Sequence, residues 1–187
     1  MPILGREIDI YPANLFDIIG QAEQTESVWW AIYTRSRREK ELARTLLQLQ
    51  IPFYCPTIAS SYRSPVGRMR TSYLPLFSNY LFLYSDALGR YEALKSNLIS
   101  KTIEVEACQQ LTEDLRQIKQ LIELNLPLKV AVRLQPGTRV RIKRGPMAGI
   151  QGVVLKQDGK SQLQVAVNFL QQGVLMNLGD AEVEVVE

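Results

Sequence analysis

Residues 134–155, Leu-Gln-Pro-Gly-Thr-Arg-Val-Arg-Ile-Lys-Arg-Gly-Pro-Met-Ala-Gly-Ile-Gln-Gly-Val-Val-Leu, constrain the fold more than any other stretch of the chain. Val140 and Ile142 alternate with charged neighbours, the pattern of a strand with one buried face. Gly145-Pro146 reads as a tight turn, and Gly149 and Gly152 flank a second bend. Glycine suits backbone that turns with positive φ or passes close to another strand. Val153, Val154 and Leu155 then resume strand character. Turns this closely spaced predict a small, strongly bent β-barrel, which serves as a docking module. The other two thirds of the chain must carry the rest of the function.

A chain of 187 residues has room for one or two small domains with real cores. No apolar run approaches the ~20 residues a membrane span needs. Residues 1–24 lack the basic stretch and apolar core of a secretory signal. Cys55 and Cys108 stand far apart and outside any Cys-x-x-Cys spacing, so a structural metal is not expected and a reducing cytoplasm fits best. The chain has no histidine, which removes Ser-His and Cys-His nucleophilic machinery and the commonest metal ligand. It also lacks Walker and Rossmann glycine patterns. The expectation is a protein without cofactor, without metal and without enzymatic activity.

The net charge of +3 hides a pattern. Residues 28–101 hold eleven Lys and Arg against four Asp and Glu, while residues 1–27 are acidic. A basic excess confined to one domain suits a phosphate backbone, and a solvated face suits it equally.

Residues 1–27 show no clear periodicity and read as a loosely attached extension, in which residues 14–19 suit one turn of helix. Residues 28–34, Val-Trp-Trp-Ala-Ile-Tyr-Thr, are aromatic and β-branched, a strand with Val28, Trp30 and Ile32 on one face and Trp29, Ala31 and Tyr33 on the other. Ser36 and Glu39 form a capping-box pattern ahead of a helix whose Leu42, Leu46 and Leu49 make an apolar stripe. Ile51-Pro52 ends it. A short strand at 53–55 precedes a polar, basic excursion over 60–72, with Pro65 and Gly67 near its tip. A strand at 80–84, a helix near 88–97, a strand at 101–106 and a helix opening at Thr112 complete the series. In that last helix Leu115, Ile118 and Ile122 point inward. Strand, helix, strand, strand, helix, strand is the split βαβ order, an antiparallel sheet with helices on one face. The fold class is therefore α+β, a ferredoxin-like domain followed by a small all-β, SH3-like barrel.

The barrel sequence resembles the KOW motif, and a split βαβ domain ahead of a KOW barrel is the organisation of the NusG and RfaH transcription elongation factors. Trp29-Trp30 is similar to the Trp-aromatic pair that opens that family's first strand, and residues 36–46 are similar to its first helix. Residues 75–82, Pro-Leu-Phe-Ser-Asn-Tyr-Leu-Phe, resemble its Pro-Leu-Phe-Pro-Gly/Asn-Tyr-hydrophobic-Phe segment, with Ser78 in place of the usual proline. Residues 136–142 and 145–149 match its barrel. The resemblance implies an extension at 1–27, an NGN-like RNA polymerase-binding domain at 28–125, a linker at 126–133 and a KOW domain at 134–187.

It also implies a mechanism. The first domain would sit on the clamp helices of the largest catalytic subunit of RNA polymerase and suppress pausing or termination, as an antitermination factor does. Tyr33, Phe77 and Tyr80 occupy the matching anchor positions. By pattern alone all three suit the sheet core, and the resemblance moves Phe77 and Tyr80 to an exposed pocket while leaving Tyr33 open. Arg35, Arg37 and Arg38 at the first helix, with Arg63, Arg68 and Arg70 on the excursion, would face non-template DNA in the transcription bubble. Tyr62 and Tyr73 flank the excursion and suit stacking on an unpaired base. In the KOW domain, Phe169 and Leu170 lie where the family docks a small-subunit ribosomal protein or a termination factor. Strand parity points one of the two outward, taken here as Leu170, although its apolarity suits an inward position as well. The acidic extension, Tyr33 and Asn79 favour a specialised NusG paralogue that is a cytoplasmic monomer. The alternative is a ribosomal or general RNA-binding KOW protein, which accounts for the barrel and the charge but not for Trp29-Trp30 or residues 75–82.

Overall fold

A computed structural model of the chain describes residues 6–21, 26–157 and 159–186. Residues 1–5 and 22–25 of the expected extension, with Asp158 and Glu187 of the expected KOW domain, lie outside the described residues. In chain order the elements are β1 (Ile10–Tyr11), α1 (Leu15–Gln21), β2 (Val28–Thr34), α2 (Glu39–Gln48), β3 (Phe53–Tyr54), β4 (Thr57–Arg63), β5 (Met69–Pro75), β6 (Tyr80–Ser85), α3 (Ala87–Leu94) and β7 (Ile99–Glu104). They continue with α4 (Cys108–Glu123), β8 (Lys129–Ala131), β9 (Thr138–Ile142), β10 (Gln151–Gln157), β11 (Lys160–Val167), β12 (Gln172–Asn177) and β13 (Val183–Val185). A 3-10 turn, Asn168–Leu170, joins β11 to β12. Two compact units divide the chain, one ending at Cys108 and one beginning at Gln109.

The first unit is a mixed α/β domain. Its five-stranded sheet has the order β1-β3-β6-β2-β7, and every pair is antiparallel. Period-2 alternation along β2 sends Trp30 and Ile32 to the face where α2 and α3 pack. There Leu42, Leu46, Phe53, Leu81, Leu83 and Ala93 form a core with no solvent exposure. Burial of each large aliphatic side chain in that cluster stabilises the domain by about 1.5–3 kcal/mol. Trp29 and Tyr84 lie on the other face with ring centroids 5.3 Å apart.

Residues 6–21 belong to this domain and are not a loose appendage. β1 adds a strand to β3, placing Ile10 opposite Tyr54. Leu15 and Phe16 of α1 are buried, and Phe16 meets Tyr54 edge-on at 5.4 Å. Asp9 accepts hydrogen bonds from Thr57 Oγ1 at 2.8 Å and from Arg6 at 2.9 Å. The helix falls where residues 14–19 suit a helical turn, but its attachment was not legible, since two adjacent core residues on a short helix leave no periodicity to read.

The polar excursion is a β-hairpin. β4 and β5 pair from Thr57–Pro75 to Arg63–Met69 in a separate two-stranded sheet. Gly67, at φ +80°, closes the tip, where Ser64 and Arg68 bond through their backbones.

The second unit corrects the expected barrel. Its six strands form one antiparallel sheet of order β13-β9-β10-β11-β12-β8, and among the described residues no pairing joins β13 to β8. The sheet is open rather than a closed SH3-like barrel. The linker supplies the reason. β8 pairs with β12 at Gly173, Val174 and Leu175, so the edge that would turn toward closure already carries a strand. The bends themselves are as tight as their glycines require. Gly149 has φ +88°, and a Cβ on Gly152 would lie 2.5 Å from the carbonyl oxygen of Gln164. Val140, Ile142, Leu163, Val165, Val167 and Val174 fill the interior of this unit.

Candidate functional site

β2 and β6 bring two of the three expected anchor aromatics together. Tyr33 lies directly opposite Tyr80, and their rings meet edge-on at 5.2 Å. Tyr33 is 38% exposed and Tyr80 half-buried. Rings in this arrangement present broad apolar area with little rotamer entropy to lose on binding. On its other side Tyr33 faces Lys101 of β7, a cation that strand register alone reveals and that no local motif announces.

Phe77 departs from expectation. It is 1% exposed and packs edge-on against Phe82 at 6.4 Å, so it belongs to the core and not to an exposed pocket. The reason lies in the connection between β5 and β6. Asn79 takes φ +65°, the Tyr80 amide bonds the Phe77 carbonyl, and the tightened backbone directs Phe77 inward while Tyr80 begins a new strand.

Glu39 holds that connection. The sequence pattern suggests a capping box at Ser36, yet α2 begins at Glu39 and its N-cap is Arg38, which makes no side-chain cap. Arg37 at φ +58° breaks the approach to the helix. The buried Glu39 carboxylate instead accepts the Asn79 backbone N–H at 2.6 Å, and the Thr34 amide donates to the Asn79 carbonyl at 2.8 Å. Both ends of the tyrosine pair are thus fixed to one turn.

The expected nucleic-acid residues divide into two groups. Near the first strand, Arg35 donates to Asn97 Oδ1 at 2.8 Å, Arg38 pairs with Glu41, and Arg37 is exposed. Glu7 of the N-terminal segment draws Lys40 (3.9 Å) and Arg44 (3.4 Å) into ion pairs. On the hairpin, Arg63, Arg68 and Arg70 are exposed and make no ion pair among the described residues. Cross-strand register sets Tyr62 beside Arg70 on one face of the hairpin and Arg63 beside Met69 on the other. Tyr73 shares the Arg63 face, so the two flanking tyrosines point to opposite sides and do not stack on one base together.

In the second unit Phe169 and Leu170 occupy the 3-10 turn, so strand parity stops at Val167. Phe169 is the more exposed, at 37%, and Leu170 is half-buried, so the outward residue of the pair is Phe169 and not Leu170. Asp114 on α4 anchors this turn. Its carboxylate accepts the Asn168 backbone N–H at 2.8 Å, the Asn168 side-chain amide at 3.0 Å and the Gln110 amide at 2.8 Å. On this helix Leu121 is buried, and Ile122, expected to point inward, is only partly covered.

Burial raises the Asp114 carboxyl above its ordinary value of 3.8, against the hydrogen bonds from Asn168 and Gln110 that pull it down. A carboxyl raised by folding holds its proton more tightly in the folded state. Its contribution is therefore fully present below the ordinary value and lost as pH rises through the raised one. Carbon-13 titration of the Asp114 side chain is expected to give a midpoint above 3.8, and the Asp114→Asn variant should gain stability relative to wild type as pH rises through that midpoint. Burial likewise pushes the Cys55 thiol up, which keeps it unreactive. Among the described residues no group of three or more His, Cys, Asp or Glu is placed to hold a metal ion, and no helix is long and apolar enough to cross a membrane.

Comparison with known proteins bears on the first unit and α4. The sequence model of the family described as "Transcription termination factor nusG" matches residues 27–118. Residues 27–118 are thus similar to a NusG-family domain, and a second, β-rich unit follows them in the chain. A solved structure described as "Crystal Structure of MjSpt4:Spt5 complex conformation B" is 15% identical over 85% of this chain and 98% of that chain, with a TM-score of 0.27, too low to define a shared arrangement. No curated protein matches the sequence.

Proposed function

We propose that the protein is a non-enzymatic transcription elongation factor that binds the clamp helices of RNA polymerase and suppresses pausing or termination, a specialised NusG paralogue acting in the cytoplasm as a monomer. The match of residues 27–118 to the NusG family carries this reading. In it, residues 28–125 form the polymerase-binding domain, and the exposed Tyr33 and half-buried Tyr80 are its anchors. Phe77 acts beneath them as packing. Arg35, Arg37 and Arg38, with the hairpin residues Arg63, Arg68 and Arg70, contact the non-template strand. The Tyr62 and Arg70 face of the hairpin is the better suited to an unpaired base, since it joins a ring to a guanidinium. Phe169, with Leu170 behind it, docks a small-subunit ribosomal protein or a termination factor.

The test is a single-round elongation assay with purified polymerase. The protein is expected to shorten pauses or raise read-through at a terminator, and unchanged RNA chain growth at saturating protein would refute the assignment. The hairpin has its own readout. Removing one cation from a phosphate lowers the salt slope of binding by roughly one. Arg68→Ala with Arg70→Ala should therefore weaken single-stranded DNA binding and flatten its salt dependence. An unaltered slope would remove these residues from the interface.

A further inference from the structure

Three strands set one row of side chains at the Asn79 end of the N-terminal sheet. Tyr80 of β6 pairs with Tyr33 of β2, and Tyr33 pairs with Lys101 of β7. Residues directly opposite one another share a face, and neighbouring strands lie about 4.8 Å apart. The row therefore reads ring, ring, ammonium. The next row inward is Phe82, Ala31 and Ile103, with Phe82 and Ala31 fully buried and Ile103 half-buried. An apolar floor thus ends, on the edge strand β7, in an exposed cation.

A bulge puts that cation there. Tyr33 pairs with Lys101 but Thr34 pairs with Ile99, which leaves Ser100 as the extra residue on β7. Counted from Ile99 without the bulge, Ser100 would meet Tyr33 and Lys101 would fall on the opposite face. The acid of these three strands, Glu104, pairs across from Trp30 on that opposite face.

Lys101 also differs from the cations around it. In the first unit outside the hairpin, Arg6, Arg38, Lys40, Arg44 and Lys95 are in ion pairs. Arg35 bonds Asn97, and Arg90 bonds Thr102 and lies over the Trp30 ring at 4.7 Å. That leaves Arg37 and Lys101 without a side-chain partner among the described residues. An unpaired lysine in line with two anchor rings selects the charge of whatever covers those rings. A carboxylate suits it better than a nucleic-acid phosphate. Tyr33 and Tyr80 meet edge-on, so the edge of one ring closes the face of the other against a stacked base. Lysine is also a point charge, without the planar fork that grips phosphate in two places.

We propose that Lys101 completes the tyrosine site, and that the polymerase segment seated there presents an Asp or Glu side chain to the Lys101 ammonium. The inference rests on the polymerase reading and deepens it: the rings supply contact area, and Lys101 supplies the sign.

The test measures binding of the full-length protein to core polymerase free of DNA and RNA, and to a halted elongation complex, at low and high salt. With core polymerase, Lys101→Glu is expected to weaken binding at least about 10-fold, since it sets like charges together. Lys101→Met keeps the apolar stem and should lose about 3-fold, while Lys101→Arg stays close to wild type. Both losses should shrink at about 1 M salt, where the screening length falls to about 3 Å. Lys101 is exposed, so all three variants should melt as wild type, and Lys101→Met decides if Lys101→Glu does not fold. The double variant Tyr33→Ala with Tyr80→Ala separates the two claims. If it loses polymerase while Lys101→Glu and Lys101→Met bind as wild type, the Lys101 assignment is overturned and the polymerase reading stands. If neither it nor the Lys101 variants lose affinity, the interface lies elsewhere and both fall. A Lys101 effect present with the elongation complex but absent from core polymerase overturns the assignment too, since the anion would then be a phosphate. A loss indifferent to salt does the same, because it would make Lys101 a packing residue.

Discussion

Alanine at Phe77 is expected to cost the N-terminal domain about 3–5 kcal/mol, because it empties a ring site in a packed core. Phe77 is 1% exposed and its ring meets Phe82 edge-on, so truncation removes both burial and a specific aromatic contact. The surroundings have little freedom to collapse into the space. Leu76 next to it in the chain and Phe82 against its ring are themselves buried, and Glu39 fixes the turn at Asn79. For a domain of this size the loss corresponds to a fall in melting temperature on the order of 15–25 °C. Differential scanning calorimetry checks it. A melting curve close to wild type would mean that Phe77 is a surface residue after all and would return it to the binding pocket.

The second large effect falls on binding and leaves folding nearly untouched. Tyr33→Ala combined with Tyr80→Ala is expected to weaken polymerase affinity by about 2–4 kcal/mol, the range of paired aromatic anchors at the centre of an interface. Tyr33 is 38% exposed and Tyr80 half-buried, so their truncation opens no deep cavity. The rings touch each other at 5.2 Å, and the double variant should cost less than the sum of the singles. Phe at both positions should keep most of the affinity, since ring area and not the hydroxyl supplies the contact. Full affinity in the double alanine variant, with melting unchanged, would move the interface elsewhere.

The contrast between Phe77 and its neighbour Tyr80 shows what the sequence carried. The run Val28 to Thr34 was legible because β-branched and aromatic residues alternate over a length that only a strand accommodates. The pairing of Tyr33 with Tyr80 was not legible, because register is set by long-range hydrogen bonding. The burial of Phe77 depends on a single positive φ at Asn79 and on a carboxylate forty positions earlier in the chain. Local motifs mislead at that carboxylate, since Ser36 and Glu39 satisfy a capping pattern while Glu39 bonds elsewhere. The glycine bends at 149 and 152 were readable from turn chemistry. Closure of the sheet was not, because it depends on where the linker strand Lys129–Ala131 pairs. Phe169 and Leu170 fell to the same limit: parity holds only while the strand continues, and a 3-10 turn interrupts it at Asn168.

A photocrosslinker placed at position 80 in the full-length protein, activated on a halted elongation complex, measures the contact itself. The account predicts one dominant product, on the clamp helices of the largest catalytic subunit, that disappears when Tyr33 is also replaced by alanine. Crosslinks confined to other subunits, or none at all while the protein remains bound, would contradict it.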